Sequence, residues 1–139
     1  MATGKVEYIN PPGLHTNPAF TQVITTSGSI KTIYIGMQNA VDGQGNIVGV
    51  GDLGAQTTQT LQDIDTCLHA AGARREHLVM WTIWVKEGEL LEKAIAAAQS
   101  WVREMPHAPA NNIAFVAGFP NPAFLIGIEA IALVPEPNN

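Results

Sequence analysis

The chain has 139 residues, of which 46% are hydrophobic and 14% charged, and its formal net charge is −5 at pH 7. This composition predicts one folded domain with some surface buried against a partner, excludes a disordered chain, and argues against nucleic-acid binding. The single cysteine, Cys67, excludes an internal disulfide, and no apolar run resembles a signal peptide or a membrane span, so we expect a cytoplasmic protein.

The first third of the chain is expected to be extended. β-Branched residues and alternation predict three strands, at residues 6–9, 20–26 and 32–37. The prolines and the glycine of residues 10–18 predict a loop between the first two strands. The turn residues Ser27-Gly28-Ser29 indicate that the second and third strands pair as a hairpin.

Two helices alternate with strands in the rest of the chain. Helical periodicity covers residues 53–71, with Asp52 as the N-cap and Gly72 as the residue after the C-cap. A second helix is expected over residues 90–105, ended by Pro106. The last three strands are expected at residues 78–85, 112–118 and 125–134.

This order predicts one α+β domain over residues 1–139, in which residues 1–10 form an N-terminal strand and loop and residues 135–139 a frayed tail. Two helices cover only one face of such a mixed sheet. The strand at residues 78–85 is nevertheless apolar on both faces. Burial of the second face by self-association would place clefts between subunits.

Glu129 is the leading candidate site residue, because it is the lone carboxylate in the apolar final strand LIGIEAIAL. A charge in a buried strand is costly unless it is paired or protonated. One interpretation is a carboxylate that lines a pocket as general base or hydrogen-bond acceptor. The alternatives are a structural ion pair and an exposed strand end.

The other motifs have simpler interpretations. Residues 49–54 match G-x-G-x-x-G, but they lack the full preceding strand and the later acid of a dinucleotide site, which favours a loop before a helix. The four histidines lack metal-ligand spacing. Cys67 is expected to be a small buried residue within a helix. Asn111-Asn112 either form a turn or present donors into a cleft.

Five segments together resemble the RidA family, also called YjgF. The likeness extends from about residue 11 to residue 134, and its segments are FTQVI (20–24), IYIGMQ (33–38), GDLGAQTTQTLQDIDTCLHAAGA (51–73), PAN (109–111) and IEAIAL (128–133). This resemblance implies a chorismate-mutase-like α+β fold and a homotrimer with ligand sites in clefts between adjacent subunits. Members of the family hydrolyse imines and enamines such as 2-aminoacrylate to 2-keto acids and ammonia, without a cofactor.

Some of the residues that the family uses at its ligand site are present in this chain, and others are replaced. Glu129 falls on the family glutamate, which is implied to activate water, whereas Asn111 falls on the arginine that holds the substrate carboxylate. Phe20 replaces a tyrosine and Ile95 an asparagine. The other implied substrate-binding residues are Gly36, Met37, Gln38 and Ile113. Loss of the bidentate arginine pair forfeits about 3 kcal/mol of binding, so a small 2-imino acid should bind poorly.

Three functions therefore remain open. The first is a RidA-like trimer that binds a small imine, enamine or carbonyl metabolite, with or without its hydrolysis to a keto compound and ammonia. The second is a non-catalytic small-molecule-binding trimer. The third, an endoribonuclease, is disfavoured by the acidic charge and the lack of a basic groove. The expected partners are a small molecule and further copies of the chain, with no metal, cofactor, nucleic acid or membrane.

Overall fold

The computed structural model describes residues 2–137, which form two β-sheets and two α-helices. The elements in chain order are β1 (Lys5–Ile9), β2 (Val23–Ser27), β3 (Ile30–Gln38), α1 (Leu53–Ala70), β4 (Leu78–Lys86), α2 (Leu91–Val102), β5 (Ala110–Val116) and β6 (Ile126–Pro135). A single 3₁₀ turn, Arg75–His77, precedes β4. The order of strands and helices is the predicted one.

The main sheet is mixed and has the strand order β3-β6-β4-β5. β6 is antiparallel to both β3 and β4, whereas β4 and β5 are parallel. Parallel neighbours require a crossover connection, and α2 supplies it between β4 and β5. α1 packs on β3 and β6, and α2 packs mainly on α1. Both helices therefore lie on one face of the sheet, which confirms the predicted α+β architecture.

The predicted hairpin of the second and third strands is wrong. β2 pairs with β1 in a separate two-stranded sheet, while β3 pairs with β6. The chain bends at Gly28, whose φ of 74° suits glycine. The Ser29 N–H donates to the Ala2 carbonyl at 3.0 Å, and the Ser29 carbonyl accepts from the Glu136 N–H at 2.9 Å. The backbone N–H and carbonyl of Ser29 are therefore bonded to residues near both ends of the described chain. The bend at Gly28 leads β2 into β3 without pairing the two strands.

The ends of α2 and β6 also differ from the expectation. α2 ends at Val102 rather than at the turn before Pro106, and the residues that follow make the tighter i→i+3 turn bonds. Pro135, expected in a frayed tail, is the last residue of β6. Glu136 is held by its bond to Ser29, and the final two residues of the predicted tail lie outside the described residues.

The ends of α1 confirm the predicted caps. The Asp52 side chain accepts a hydrogen bond from the Ala55 N–H at 3.0 Å, as an N-cap does. Gly72 follows the C-cap Ala71 with a φ of 75°, a conformation that glycine adopts without a Cβ penalty. The helix thus begins and ends where these two residues predict.

Gln56 is a buried residue of α1 that periodicity did not identify. Its side chain is fully buried, and its Nε2 donates to the carbonyls of Ala123 at 2.8 Å and Gly49 at 3.2 Å. Its Oε1 accepts from the Leu125 N–H at 2.9 Å. One amide side chain therefore joins α1 to the two loops that precede α1 and β6.

The hydrophobic core lies between the helices and one face of the main sheet. Its largest aromatic contact is the stack of Trp81 on β4 against Trp101 on α2, with ring centroids 5.5 Å apart. Arg75 lies over the Trp101 ring and binds Asp65 through two hydrogen bonds of 2.9 and 2.7 Å. Within residues 2–137, no helix is long and apolar enough to cross a membrane.

Candidate functional site

The register of the main sheet separates the predicted site residues onto two faces. Trp81 pairs with Asn111, and Trp81 lies in the core beneath the helices. Paired residues on neighbouring strands point to the same face, so Asn111 also points towards the helices. One residue along β4, Thr82 pairs with both Glu129 and Asn112, and these three point away from the helices. Within one chain, Glu129 and Asn111 lie on opposite faces.

We call the sheet surface that faces away from the helices the open face. Its central positions are mostly apolar or small, and they include Tyr34, Met80, Trp84, Ala114 and Ile131. Tyr34 is 78% exposed. In the part of the chain that the structure describes, this face has no cover, as the sequence predicted. Among the described strand residues on this face, Glu129 is the only carboxylate.

Glu129 is exposed on the open face, although its strand is buried on the other side. The expectation of a charge in a buried environment is therefore wrong for the chain alone, because strand alternation directs this side chain away from the core. Within residues 2–137 it has neither an ion pair nor a side-chain hydrogen bond. A hollow of about 320 Å³ adjoins Glu129, and Gly36 and Thr82 also line it.

A polar row crosses the open face at the level of Glu129. It consists of Glu129 on β6, Thr82 on β4 and Asn112 on β5, which are partners in register. Side chains paired in this way have Cβ atoms about 5 Å apart, so a water or a small ligand can contact two of them. Thr82 was not identified from the sequence as a site residue, although its outward direction follows from the alternation along β4.

Gly36, Met37 and Gln38 lie at an irregularity where the pairing of β3 with β6 shifts register. The Gln38 Nε2 donates to the Gly36 carbonyl at 3.1 Å. Met37 packs on Gly127, where an added Cβ would come within 2.6 Å of the Met37 Sδ. Gly36 and Met37 therefore lie at one end of the open face, close to Glu129, whereas Gln38 pairs with the core residue Ile128 and is directed to the helix side.

Phe20 lies apart from the open face, in the loop before β2. Its ring makes an edge contact with His15, with centroids 5.8 Å apart. The loop is held beside β5 because the Thr21 N–H donates to the Pro109 carbonyl at 3.0 Å. Phe20 is therefore near the strand that carries Asn111, rather than near Glu129.

A second cavity lies between α2 and the β5 edge of the sheet, and we call it the edge cavity. Its volume is about 450 Å³, and both Asn111 and Ile113 line it. It lies beneath α2, which packs mainly on α1, and over strands β4 and β5. Two of its lining residues carry buried polar atoms, the Asn111 Oδ1 and the Trp81 Nε1, that have no hydrogen-bond partner among the described residues. Unpaired buried polar atoms are uncommon and call for an explanation.

The remaining motifs keep their structural interpretations. Gly49 contacts α1 closely, since an added Cβ would lie 2.8 Å from the Ala55 Cβ, which suits a tight loop before a helix. Cys67 packs against the core, and burial raises the pKa of its thiol, which opposes a role as nucleophile. Within residues 2–137, no group of three or more His, Cys, Asp or Glu side chains is placed to hold a metal ion.

The chain was compared with known families and structures. The family model described as Endoribonuclease L-PSP matches residues 14–134. The Rid-family protein YyfB of Yersinia pestis is 28% identical, with a TM-score of 0.81 over 93% of this chain and 98% of that one. The YjgF gene product of Escherichia coli is also 28% identical, with a TM-score of 0.65 over 73% of this chain and 79% of that one.

A third structure shows a likeness of fold alone. Escherichia coli TdcF with bound serine is 21% identical, with a TM-score of 0.67 over 74% of this chain and 80% of that one. None of the curated proteins matches the chain.

Proposed function

Because the chain belongs to the RidA/YjgF family of L-PSP proteins, we propose that it binds a small imine, enamine or carbonyl metabolite in clefts between the subunits of a homotrimer. In each cleft, Glu129 would orient a water molecule or accept a proton from the ligand. Asn111 would contact a polar ligand group, and Phe20 would form an apolar wall.

The opposite placement of Glu129 and Asn111 is the observation that carries this proposal. Within one chain the sheet separates them, so they can share a ligand only if the open face of one copy meets the β5 edge of another. The open face is apolar and lacks a cover among the described residues, which favours such an association. Gly36 and Met37 would then join Glu129 on one wall, and Ile113 would join Asn111 on the other.

The chemistry that suits this cleft is the hydrolysis of a C=N bond. Glu129 would accept a proton from water as the water oxygen bonds to the imine carbon, and it would then deliver that proton to the nitrogen. The resulting carbinolamine would release ammonia and leave a keto compound. Thr82 and Asn112, which lie in the same polar row, supply a hydroxyl and an amide that can hold the water.

Ammonia release from freshly generated 2-aminoacrylate or 2-iminobutyrate tests this function. We expect activity above background that Glu129→Gln abolishes, because the amide cannot accept the proton. Glu92→Gln, an exposed change on α2, is the matched control and should retain activity. Retained activity in Glu129→Gln would contradict the assigned role, and background rates in the unmodified protein would exclude the deaminase reaction.

The trimer is tested separately by measuring the mass in solution. We expect three times the 14.8 kDa of one chain. Tyr34→Glu should convert the trimer to monomers, because it adds a second carboxylate to the same face as Glu129. A monomeric unmodified protein would remove the clefts and with them the proposal.

A non-catalytic ligand-binding trimer is the second candidate, and Asn111 favours it. An asparagine cannot supply the charge with which the family arginine holds a substrate carboxylate. Asn111→Arg distinguishes the two candidates. Gained imine hydrolysis would show that Glu129 and its neighbours are otherwise competent, whereas inactivity with an intact trimer would favour binding alone.

A further inference from the structure

The inner face of α2 makes the edge cavity wide and apolar. The helix residues that line it recur with helical spacing and are Leu91, Ala94, Ile95, Ala98, Gln99, Val102 and Arg103. Ala94 and Ala98 are small and leave room opposite Trp81 and Ile83 of β4. Ile95 and Ile113 are 48% and 42% exposed, so apolar surface continues to the cavity entrance.

Arg103 is the last residue on this inner face and, among the described residues, the only cation that lines the cavity. It is exposed at the C-cap of α2, and it has no ion pair among the described residues. None of the described residues that line the cavity is a carboxylate. The cavity entrance therefore has an uncompensated positive charge in a chain whose net charge is −5.

Two residues that line the cavity, Asn111 and Trp81, each carry a buried polar atom. The Asn111 Oδ1 is an acceptor and the Trp81 Nε1–H is a donor, and neither has a partner among the described residues. Trp81 is only 5% exposed, so its indole has little access to solvent. Neither atom is accessible to solvent, so a ligand in the cavity would be held by its apolar lining and by Arg103 rather than by these two atoms.

We propose that the edge cavity selects carboxylates with a bulky apolar body, held by Arg103 at the entrance. The apolar body would occupy the space beside Ala94 and Ala98, and a C=N or C=O group next to the carboxylate would reach Asn111. This inference deepens the proposed function and rests on it: the substrate class would be 2-imino or 2-keto acids with aromatic or branched side chains. Arg103 thus supplies from α2 the carboxylate contact that Asn111 cannot supply from β5.

A purely structural role for Arg103 makes a different prediction. A cation at the end of a helix interacts favourably with the helix dipole, and its removal would lower stability without changing ligand binding. Binding of ligands that differ only in charge or in bulk therefore distinguishes the two roles.

The experiment measures the affinity of the full-length protein for 3-phenylpropionate, propionate and 3-phenylpropanamide by isothermal titration calorimetry. We expect 3-phenylpropionate to bind at least about tenfold more tightly than propionate, which lacks the ring, and than the uncharged amide. Arg103→Gln should reduce the affinity for 3-phenylpropionate by about tenfold and leave the amide unaffected. Lys93→Gln, an exposed change on the same helix that does not line the cavity, is the matched control.

Ala98→Leu supplies a second test that removes no charge. It fills the cavity and should abolish the preference for 3-phenylpropionate over propionate, while circular dichroism reports whether the fold is retained. Equal affinities for the two carboxylates in the unmodified protein would overturn the proposal, and so would an Arg103→Gln variant with unchanged affinity.

The ammonia assay separates failure of this inference from failure of the proposed function. Hydrolysis of 2-aminoacrylate without any preference for bulky carboxylates would overturn the inference and leave the proposed function standing. Tight binding of 3-phenylpropionate through Arg103 without any hydrolysis would support the inference and favour the non-catalytic candidate.

Discussion

Gln56 offers the sharpest test of how the fold positions the open face. Its fully buried amide makes three hydrogen bonds, of 2.8, 2.9 and 3.2 Å, with Ala123, Leu125 and Gly49. Two of these partners belong to the segment that leads into β6, the strand of Glu129. We expect Gln56→Met to keep most of the side-chain volume and to remove all three bonds.

The magnitude follows from the groups left unpaired. The Leu125 N–H is buried and loses its acceptor, while two carbonyls lose a donor but can bind water more readily. A buried unsatisfied group costs about 1–3 kcal/mol, so we expect the free energy of unfolding to fall by about 3 kcal/mol. For a domain of this size the melting temperature should fall by about 10 °C.

Thermal and urea unfolding at one fixed protein concentration provide the assay, because association would make stability depend on concentration. Gln62→Ala, an exposed change on the same helix, is the control and should alter stability by less than about 0.5 kcal/mol. If Gln56→Met were no less stable than the control, the three hydrogen bonds would not be what joins α1 to β6.

Two further predictions concern the region around the 3₁₀ turn. Asp65→Asn weakens the two-bond contact with Arg75 and should lower the free energy of unfolding by about 1–2 kcal/mol in urea, a modest loss because both side chains are partly exposed. Burial lowers the pKa of His77 below its usual value of 6.5, and its Nδ1 accepts from the Arg74 N–H at 2.9 Å. Because the folded state favours neutral His77, its contribution to stability is present above pH 6.5 and lost as the pH falls below it. His77→Asn keeps an acceptor without titrating, so the loss of stability on acidification should be smaller in this variant; equal losses would contradict this assignment.

Most of the architecture could be predicted because the signals for it are local. Asp52 and Gly72 mark the ends of α1, and alternation along β4 indicates which of its side chains face the helices. The partner of β2 could not be predicted in this way. A glycine in a short turn fits both a hairpin and a bend, and the choice depends on backbone bonds from Ala2 and Glu136, which are distant in sequence.

The geometry of the candidate site likewise depends on strand pairing, which the sequence did not predict. The sequence indicates that Glu129 is unusual in an apolar strand, and the family resemblance pairs it with Asn111. Only the register between strands shows that the two side chains point to opposite faces. Arg103 could not be selected from the sequence, because a cation at the end of a helix is common and its place at the edge cavity depends on how α2 packs.

The opposite placement of Glu129 and Asn111 also makes genetic complementation between inactive chains possible. One variant can lack a working Glu129 and another a working edge cavity, for example through Ala98→Leu, which should be inactive towards a 2-imino acid with a bulky side chain. In a mixed oligomer, some clefts would receive Glu129 from one variant and an intact cavity from the other. Activity that returns only after the two variants are unfolded and refolded together would therefore assign the two walls of each cleft to different subunits.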